Sequence, residues 1–288
     1  MVKVMCELLG LCSNRRAAVS LSLARLAEHS GPPVLNGDGW GVAYYEGPDA
    51  RLIKDSGPAN ESDWIGFLQR HDLRSAIVIA HIRHATMGAR AYRNSQPFSR
   101  ELAGRVHLFA HNGWLPGLPD APKFRSARFV AVGETDSEQA FCALLDRLQE
   151  IWRPGEVPPL EERMQIVTAF AAELRSFGPA NFLYSDGDAL FAHGHRRKHA
   201  GAATAEPPGL VVLERECPPD MAGLATRGLS IAPDGQRVTL IASVPLTEDD
   251  WRPLAEGEVI ALTQGTVTLR TSAASAVVAH GVGAFGCR

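Results

Sequence analysis

The stretch Met5-Cys6-Glu7-Leu8-Leu9-Gly10 decides how the rest of this chain is read. A methionine followed by a small residue is a substrate for methionine removal, so synthesis from Met5 yields a protein that begins with cysteine. Such a residue carries a nucleophile and a base together. Its sulfur attacks a carbonyl while its α-amine, with a reference pKa of about 7.7–8.0, shuttles the proton. Met1-Val2-Lys3-Val4 stand before it, and removal of Met1 alone exposes Val2. The expectation is therefore that residues 1–5 are an over-called start or a cleaved extension. A near-terminal cysteine taken alone is more often a small buried hydrophobe. Its meaning rests on what the other residues bring to it.

Composition sets the frame. The 288 residues are 45% hydrophobic and 21% charged, as in an ordinary globular protein with a large core. A formal net charge of −3 gives no electrostatic case for a nucleic-acid or anionic-membrane partner. The one basic cluster, His193-Gly194-His195-Arg196-Arg197-Lys198-His199, reads as a short solvated loop. Five cysteines without a C-x-x-C pair suggest neither a disulfide framework nor a structural zinc site, and a reducing, cytoplasmic setting is expected. No run reaches 18 apolar residues, so no transmembrane helix is expected. The run from Val4 to Cys12 is interrupted by Glu7 and too short for a secretory signal.

Apolar runs bounded by Gly, Pro or Asp predict strands at Gly41–Tyr45, Ala76–Arg83, Val106–His111, Asn181–Tyr184, Ala189–His193, Val238–Val244 and Val259–Leu262. Gln264-Gly265 predicts a hairpin turn. Helical spacing appears in Arg16–His29, Ser62–His71, Ser137–Trp152 and Leu160–Phe177, and Thr135-Asp136-Ser137-Glu138 has capping-box spacing. Strands without regular βα alternation point to a layered α+β domain with largely antiparallel sheets. There is no internal repeat. Residues 6–270 form the expected domain, and the Ala-, Val- and Gly-rich tail 271–288 is expected to be loosely attached.

Four further motifs accompany Cys6. In Asn36-Gly37-Asp38-Gly39-Trp40-Gly41, closely spaced glycines imply tight backbone leading into a strand. In Ala80-His81-Ile82-Arg83-His84-Ala85-Thr86-Met87-Gly88, Arg83 leaves an apolar run where a guanidinium could fork onto a carboxylate or join an ion pair. His81 and His84 read as packing and hydrogen-bonding residues. Ala110-His111-Asn112-Gly113 offers a side-chain amide and a neighbouring backbone N–H suited to a developing oxyanion, although Asn-Gly is also a strong turn signal. In Gly133-Glu134-Thr135-Asp136-Ser137-Glu138, Asp136 suits an ammonium group, or simply the helix dipole.

Each motif has an ordinary structural explanation; their order does not. Cysteine, Gly-rich turn, strand-end Arg, strand-end Asn-Gly and helix-start Asp resemble the class II glutamine amidotransferases, and in particular stand-alone members beginning Met-Cys-Glu-Leu-Leu-Gly. The resemblance runs from about Met5 to Thr263 and extends to Asn181-Phe182-Leu183-Tyr184-Ser185-Asp186-Gly187, Ala242-Ser243-Val244-Pro245-Leu246-Thr247, Trp251 and Gly257-Glu258. The chain departs from many members in carrying His84 and Met87 where they have Trp and His. The resemblance implies the N-terminal-nucleophile hydrolase fold, a four-layer αββα sandwich with two antiparallel sheets. It implies that Cys6 attacks a γ-carboxamide, that Asn112 and the Gly113 amide hold the oxyanion, that Arg83 pairs with the α-carboxylate and Asp136 with the α-ammonium. Thr86, Gly39 and Trp40 would line the pocket. No cofactor or metal is implied.

The substrate class implied is glutamine or a γ-glutamyl compound. After Thr263 only a short stretch follows, so the expectation is a γ-glutamyl amidohydrolase. The alternatives are a glutaminase subunit passing ammonia to a separate synthetase, or a non-catalytic γ-glutamyl-binding module if Cys6 never gains a free amine. A metal-dependent hydrolase built on His193, His195 and His199 lacks an accompanying carboxylate or cysteine. Cys12, Cys142 and Cys217 read as packing thiols, and a homo-oligomer is compatible with the sequence.

Overall fold

A strand covered on both faces shows no alternation of polar and apolar residues, and Glu7-Leu8-Leu9-Gly10-Leu11-Cys12 is such a segment. It opens β1 (Glu7–Ala18) in the structure, a computed structural model that describes residues 6–18, 38–71, 73–85, 87–199, 201–217, 224–226, 229–231, 235–271 and 278–279. The next strands are β2 (Trp40–Glu46), β3 (Asp49–Asp55) and β4 (Arg74–Ile82). Then come β5 (Phe98–Leu102), β6 (Arg105–Gly113), β7 (Ala180–Ser185) and β8 (Leu190–His193). The second half supplies β9 (Val211–Cys217), β10 (Leu224–Thr226), β11 (Leu229–Ile231) and β12 (Gln236–Ala242). The last are β13 (Arg252–Pro253), β14 (Val259–Thr263), β15 (Thr266–Thr271) and β16 (Val278–Ala279). The α-helices are α1 (Asp63–Arg70), α2 (Asp136–Leu148) and α3 (Leu160–Leu174).

Two seven-stranded sheets result. One runs β13-β9-β12-β1-β4-β2-β3 and the other β16-β15-β14-β8-β7-β6-β5. Neighbouring strands are antiparallel throughout. β1 lies in the middle of the first sheet, so its two faces serve two cores. Leu8 and Cys12 turn inward and meet Leu108, Ala110, Leu183 and Ile260 of the second sheet, while Leu9 and Leu11 turn outward onto the layer that includes Ile65 and Leu68 of α1. Gly10 lets the sheets close: a Cβ there would sit 3.2 Å from the Leu183 and Leu190 methyls.

The second sheet alternates in the same way. Leu108 and Ala110 face the first sheet, whereas Phe109, Phe182, Tyr184 and Phe191 face α2 and α3 and pack on Phe141, Leu145, Met164 and Phe170. Phe109 stacks on Phe141 at 5.4 Å. Burying each such ring contributes roughly 1.5–3 kcal/mol, enough for this layer alone to fix helices onto sheet. Helix, sheet, sheet, helices is the four-layer αββα sandwich that the resemblance implies.

Two local expectations change. The helix expected over Arg16–His29 begins as strand: Ala17 pairs with Ser75 and Ala18 with Arg74, because a ladder to a neighbouring strand outweighs weak helical spacing. Residues 19–29 lie outside the described residues. Of the tail expected to be loose over 271–288, the described residues are 271 and those of β16, where Val278 pairs with Arg270 and Ala279 with Leu269. The basic cluster is not simply solvated, since His193, His195 and Arg197 are buried. The Gln264-Gly265 turn has φ of 52° and 78°, the paired positive values a two-residue hairpin requires.

Candidate active site

Antiparallel pairing of β1 with β4 places Glu7 opposite Ile82, so the beginning of one strand meets the end of the other. Cys6, Arg83, His84, Ala85 and Met87 consequently share a pocket wall. The end of β6 adds His111 and Gly113, the start of α2 adds Thr135, Asp136 and Ser137, and Gln96 completes the lining. Five chain segments thus deliver their residues to one place.

The Cys6 sulfur accepts the His84 N–H at 3.1 Å and donates to the His84 carbonyl at 3.2 Å. Burial pushes its thiol up to about 11, against the opposing pull of the His84 main chain and the Arg83 charge. At neutral pH the sulfur is therefore a thiol and needs a base to become nucleophilic. Asn112 Nδ2 donates to the Cys6 carbonyl and, at 3.3 Å, to Ser243 Oγ. Both amide hydrogens are thus engaged in this state, and an oxyanion would have to compete for one. Gly113 lies so close to the neighbouring chain that a Cβ would come within 1.8 Å of the Pro179 carbonyl. The strand runs straight through Asn112-Gly113, with Asn112 opposite Asn181 and Gly113 opposite Ala180, so the pair is not a hairpin turn.

The charged residues flank the sulfur. Arg83, 3% exposed, gives three N–H bonds to carbonyls: Asp38 at 3.0 Å, Met87 at 2.9 Å and Gly88 at 3.1 Å. Its own N–H is held by Gly39 O at 2.8 Å. Gly39 has φ of 126°, and a Cβ there would meet Ser95 Oγ at 2.4 Å, so this residue fixes the Arg83 backbone. Asp136, 4% exposed, accepts from Leu115 N at 2.8 Å and from Ser137 N at 2.7 Å and Oγ at 3.2 Å. Thr135 caps the helix by accepting the Glu138 N–H at 3.2 Å.

Trp40 is placed elsewhere than expected. Strand alternation turns it outward with Val42 and Tyr44, and it is fully buried in the outer core instead of lining the pocket. Thr86, Asn36 and Gly37 lie outside the described residues. His193 bonds the Glu258 carbonyl at 3.1 Å, and among the described residues no group of three His, Cys, Asp or Glu side chains is arranged to hold a metal.

Several site residues escaped the sequence reading. Gln96 accepts the His111 N–H at 2.6 Å from a segment with no motif. His111 bonds Ser137 Oγ at 2.9 Å, and burial holds its imidazole below the usual range while Asp136 pulls it back up. Glu7 pairs with Arg197 at 2.8 Å, and burial pushes the carboxyl up to about 7 against the pull of Arg197 and Ser243. Glu7 and Ser243 were visible only as parts of longer motifs.

The chain belongs to the class II glutamine amidotransferases: the sequence model of the family described as "Glutamine amidotransferases class-II" matches residues 5–280. It is an enzyme of that class. It is 34% identical over 257 residues to the Escherichia coli (strain K12) protein named "Putative glutamine amidotransferase YafJ", covering 88% of this chain and 96% of that one. A crystal structure of a "predicted glutamine amidotransferase" from Pseudomonas aeruginosa PA01 superposes with a TM-score of 0.64 at 32% identity, covering 91% of this chain and 99% of that one. The glutamine phosphoribosylpyrophosphate amidotransferase of B. subtilis shares the fold, with a TM-score of 0.54 at 17% identity over 90% of this chain and 47% of that one.

Proposed function

We propose that the protein hydrolyses the γ-carboxamide of glutamine or of a γ-glutamyl amide, and that the mature enzyme begins at Cys6. The observation that supports this reading is the meeting of Cys6 with one fixed cation, Arg83, and one fixed anion, Asp136, around a single pocket. An amino-acid head is a zwitterion, and this pair of charges complements it. The Cys6 sulfur attacks the γ-carbonyl carbon as its proton passes to the α-amine. The resulting oxyanion is held by Asn112 and the Gly113 amide. Collapse forms a γ-glutamyl thioester and expels ammonia or an amine that takes the proton. Water then attacks the thioester, releasing glutamate and restoring the thiol.

Peptide-mapping mass spectrometry after exposure to the glutamine mimic 6-diazo-5-oxo-L-norleucine tests this directly. The expected adduct lies on a peptide beginning at Cys6; an unlabelled Cys6 in protein that begins there would refute the nucleophile. The pH dependence of labelling adds a second check. With a free α-amine as base, the rate rises with pH through about 8, where that amine deprotonates. With Cys6 in peptide linkage the rise is delayed toward the thiol's own value of about 11. A late rise in protein that begins at Cys6 would remove the amine from the mechanism.

Arg83→Lys probes the carboxylate contact. An ammonium has three N–H donors, all of them claimed by the Asp38, Met87 and Gly88 carbonyls, whereas the guanidinium keeps two more, so kcat/KM for L-glutamine should fall by about 100-fold. The wild type should also prefer L-glutamine over 4-aminobutanamide, which lacks the α-carboxylate, and the variant should lose that preference. A variant that kept it would exclude Arg83 from recognition.

A further inference from the structure

A nucleophile at a chain end lacks the covalent tether that a mid-chain residue has on its other side, and chain ends fray unless tied down. Here the tie is built of buried polar side chains from four separate parts of the chain. Glu7 and Arg197, 1% and 5% exposed, form an ion pair in which Nη2 donates to Oε1 at 2.8 Å and Nη1 to Oε2 at 3.4 Å. Arg197 Nη1 also donates to the Ser243 carbonyl. Ser243 Oγ accepts the Leu8 N–H at 3.0 Å and Asn112 Nδ2 at 3.3 Å. A hydroxyl has one proton and two lone pairs, so these two bonds use both lone pairs of Ser243. The other hydrogen of Asn112 Nδ2 goes to the Cys6 carbonyl.

Stability does not account for such an arrangement. Desolvating an ion pair costs several kcal/mol per ion, and well-packed apolar residues often do as well or better in its place. The pair nevertheless sits one residue from the sulfur. We propose that Glu7, Arg197 and Ser243 are positioning residues that hold the Cys6 main chain and aim the Asn112 amide for attack on a γ-glutamyl carbonyl. This rests on the nucleophile reading given above. The Ser243 hydroxyl turns both lone pairs toward Leu8 and Asn112. Arg197 keeps the carboxylate in place by gripping it and the Ser243 carbonyl at once. Without the carboxylate Arg197 loses its anchor, and the Ser243 main chain that carries the acceptor for Asn112 is no longer held.

The rate at which 6-diazo-5-oxo-L-norleucine labels Cys6 tests this without reference to the leaving group. Ser243→Ala should slow labelling about 10-fold or more, and Ser243→Thr, which keeps the hydroxyl, should restore it. In an Asn112→Ala background, Ser243→Ala should lose the part of its effect that runs through that amide, so the two losses should combine to clearly less than their product. A merely structural loss would instead multiply with that of Asn112→Ala, and such multiplication overturns the proposal. So does Ser243→Ala labelled at the wild-type rate. The double variant Glu7→Met/Arg197→Met, which replaces the ion pair with apolar volume, should fold yet label as slowly as Ser243→Ala; wild-type labelling there excludes the pair. Failure of the underlying reading is separate, because the wild type itself would then carry no label on Cys6.

Discussion

Cys6→Ala is expected to reduce glutamate release from L-glutamine to background, a loss of about 1,000-fold or more, while leaving the fold intact. The sulfur is the atom that would form the thioester, and no other group in the pocket can replace a covalent intermediate. Its structural ties are slight: the side chain bonds only the main chain of His84. Losing them should cost about 1 kcal/mol, or roughly 2–4 °C in Tm for a chain of this size. Substitution by another thiol of the chain is excluded for Cys12 and Cys142, which are 1% and 2% exposed and packed inside the hydrophobic cores away from the pocket. Glutamate release measured alongside circular dichroism gives the answer. Turnover within tenfold of wild type in a folded variant would end the assignment.

Gly113→Ala should damage the enzyme nearly as much by another route. The added methyl would lie 1.8 Å from the Pro179 carbonyl and 2.7 Å from His111 Nε2. The first contact is with backbone, which cannot swing aside, so β6 and β7 must separate where Gly113 faces Ala180. Overpacking costs about 1–3 kcal/mol in adaptable cores, and this site belongs at or above the upper end. The displaced Gly113 N–H and the neighbouring Asn112 amide would then miss the oxyanion. A 1 Å misplacement of such groups can cost about 100-fold in rate. Thermal unfolding and kcat should therefore fall together. An Ala variant with unchanged Tm would show that the strands can part freely, and would remove the packing argument for glycine here.

The architecture was legible where chemistry forces one local answer. Gln264-Gly265 could hardly be anything but a turn, and the expected strands at residues 41–45 and 106–111 appear as β2 and β6 with ends shifted by two residues or fewer. β1 was harder to read, because a strand buried on both faces has no period of two and Gly10 breaks the apolar run. β3 hid behind its charges: Asp49, Arg51, Lys54 and Asp55 suit an edge strand and a loop equally well. Within the site, Cys6, Arg83, Gly113 and Asp136 announced themselves as motifs, and the fold brings them to one pocket. Arg197 gave no such sign. Basic runs are normally solvated, and nothing local says that Glu7, 190 residues earlier, removes this one from water. Trp40 misled for the opposite reason, since a motif fixes sequence neighbours but strand alternation decides which face each side chain takes.

The central place of β1 has a consequence for how the protein is made. β1 leaves the ribosome early, but one of its flanking strands, β12, is among the last parts of the sheet to be translated: Leu9 waits for Ala242, and Leu8 for a serine 235 residues downstream. At about 5–20 residues per second, that wait lasts roughly ten seconds to a minute. Through that time β1 can pair with β4 on one side only, and the Leu8 N–H and the Asn112 amide lack their Ser243 acceptor. Pairing across such distances is slow, so a nascent chain here is a candidate for chaperone protection. The pocket around Cys6 is thus complete only once β12, and Ser243 just after it, have been synthesised.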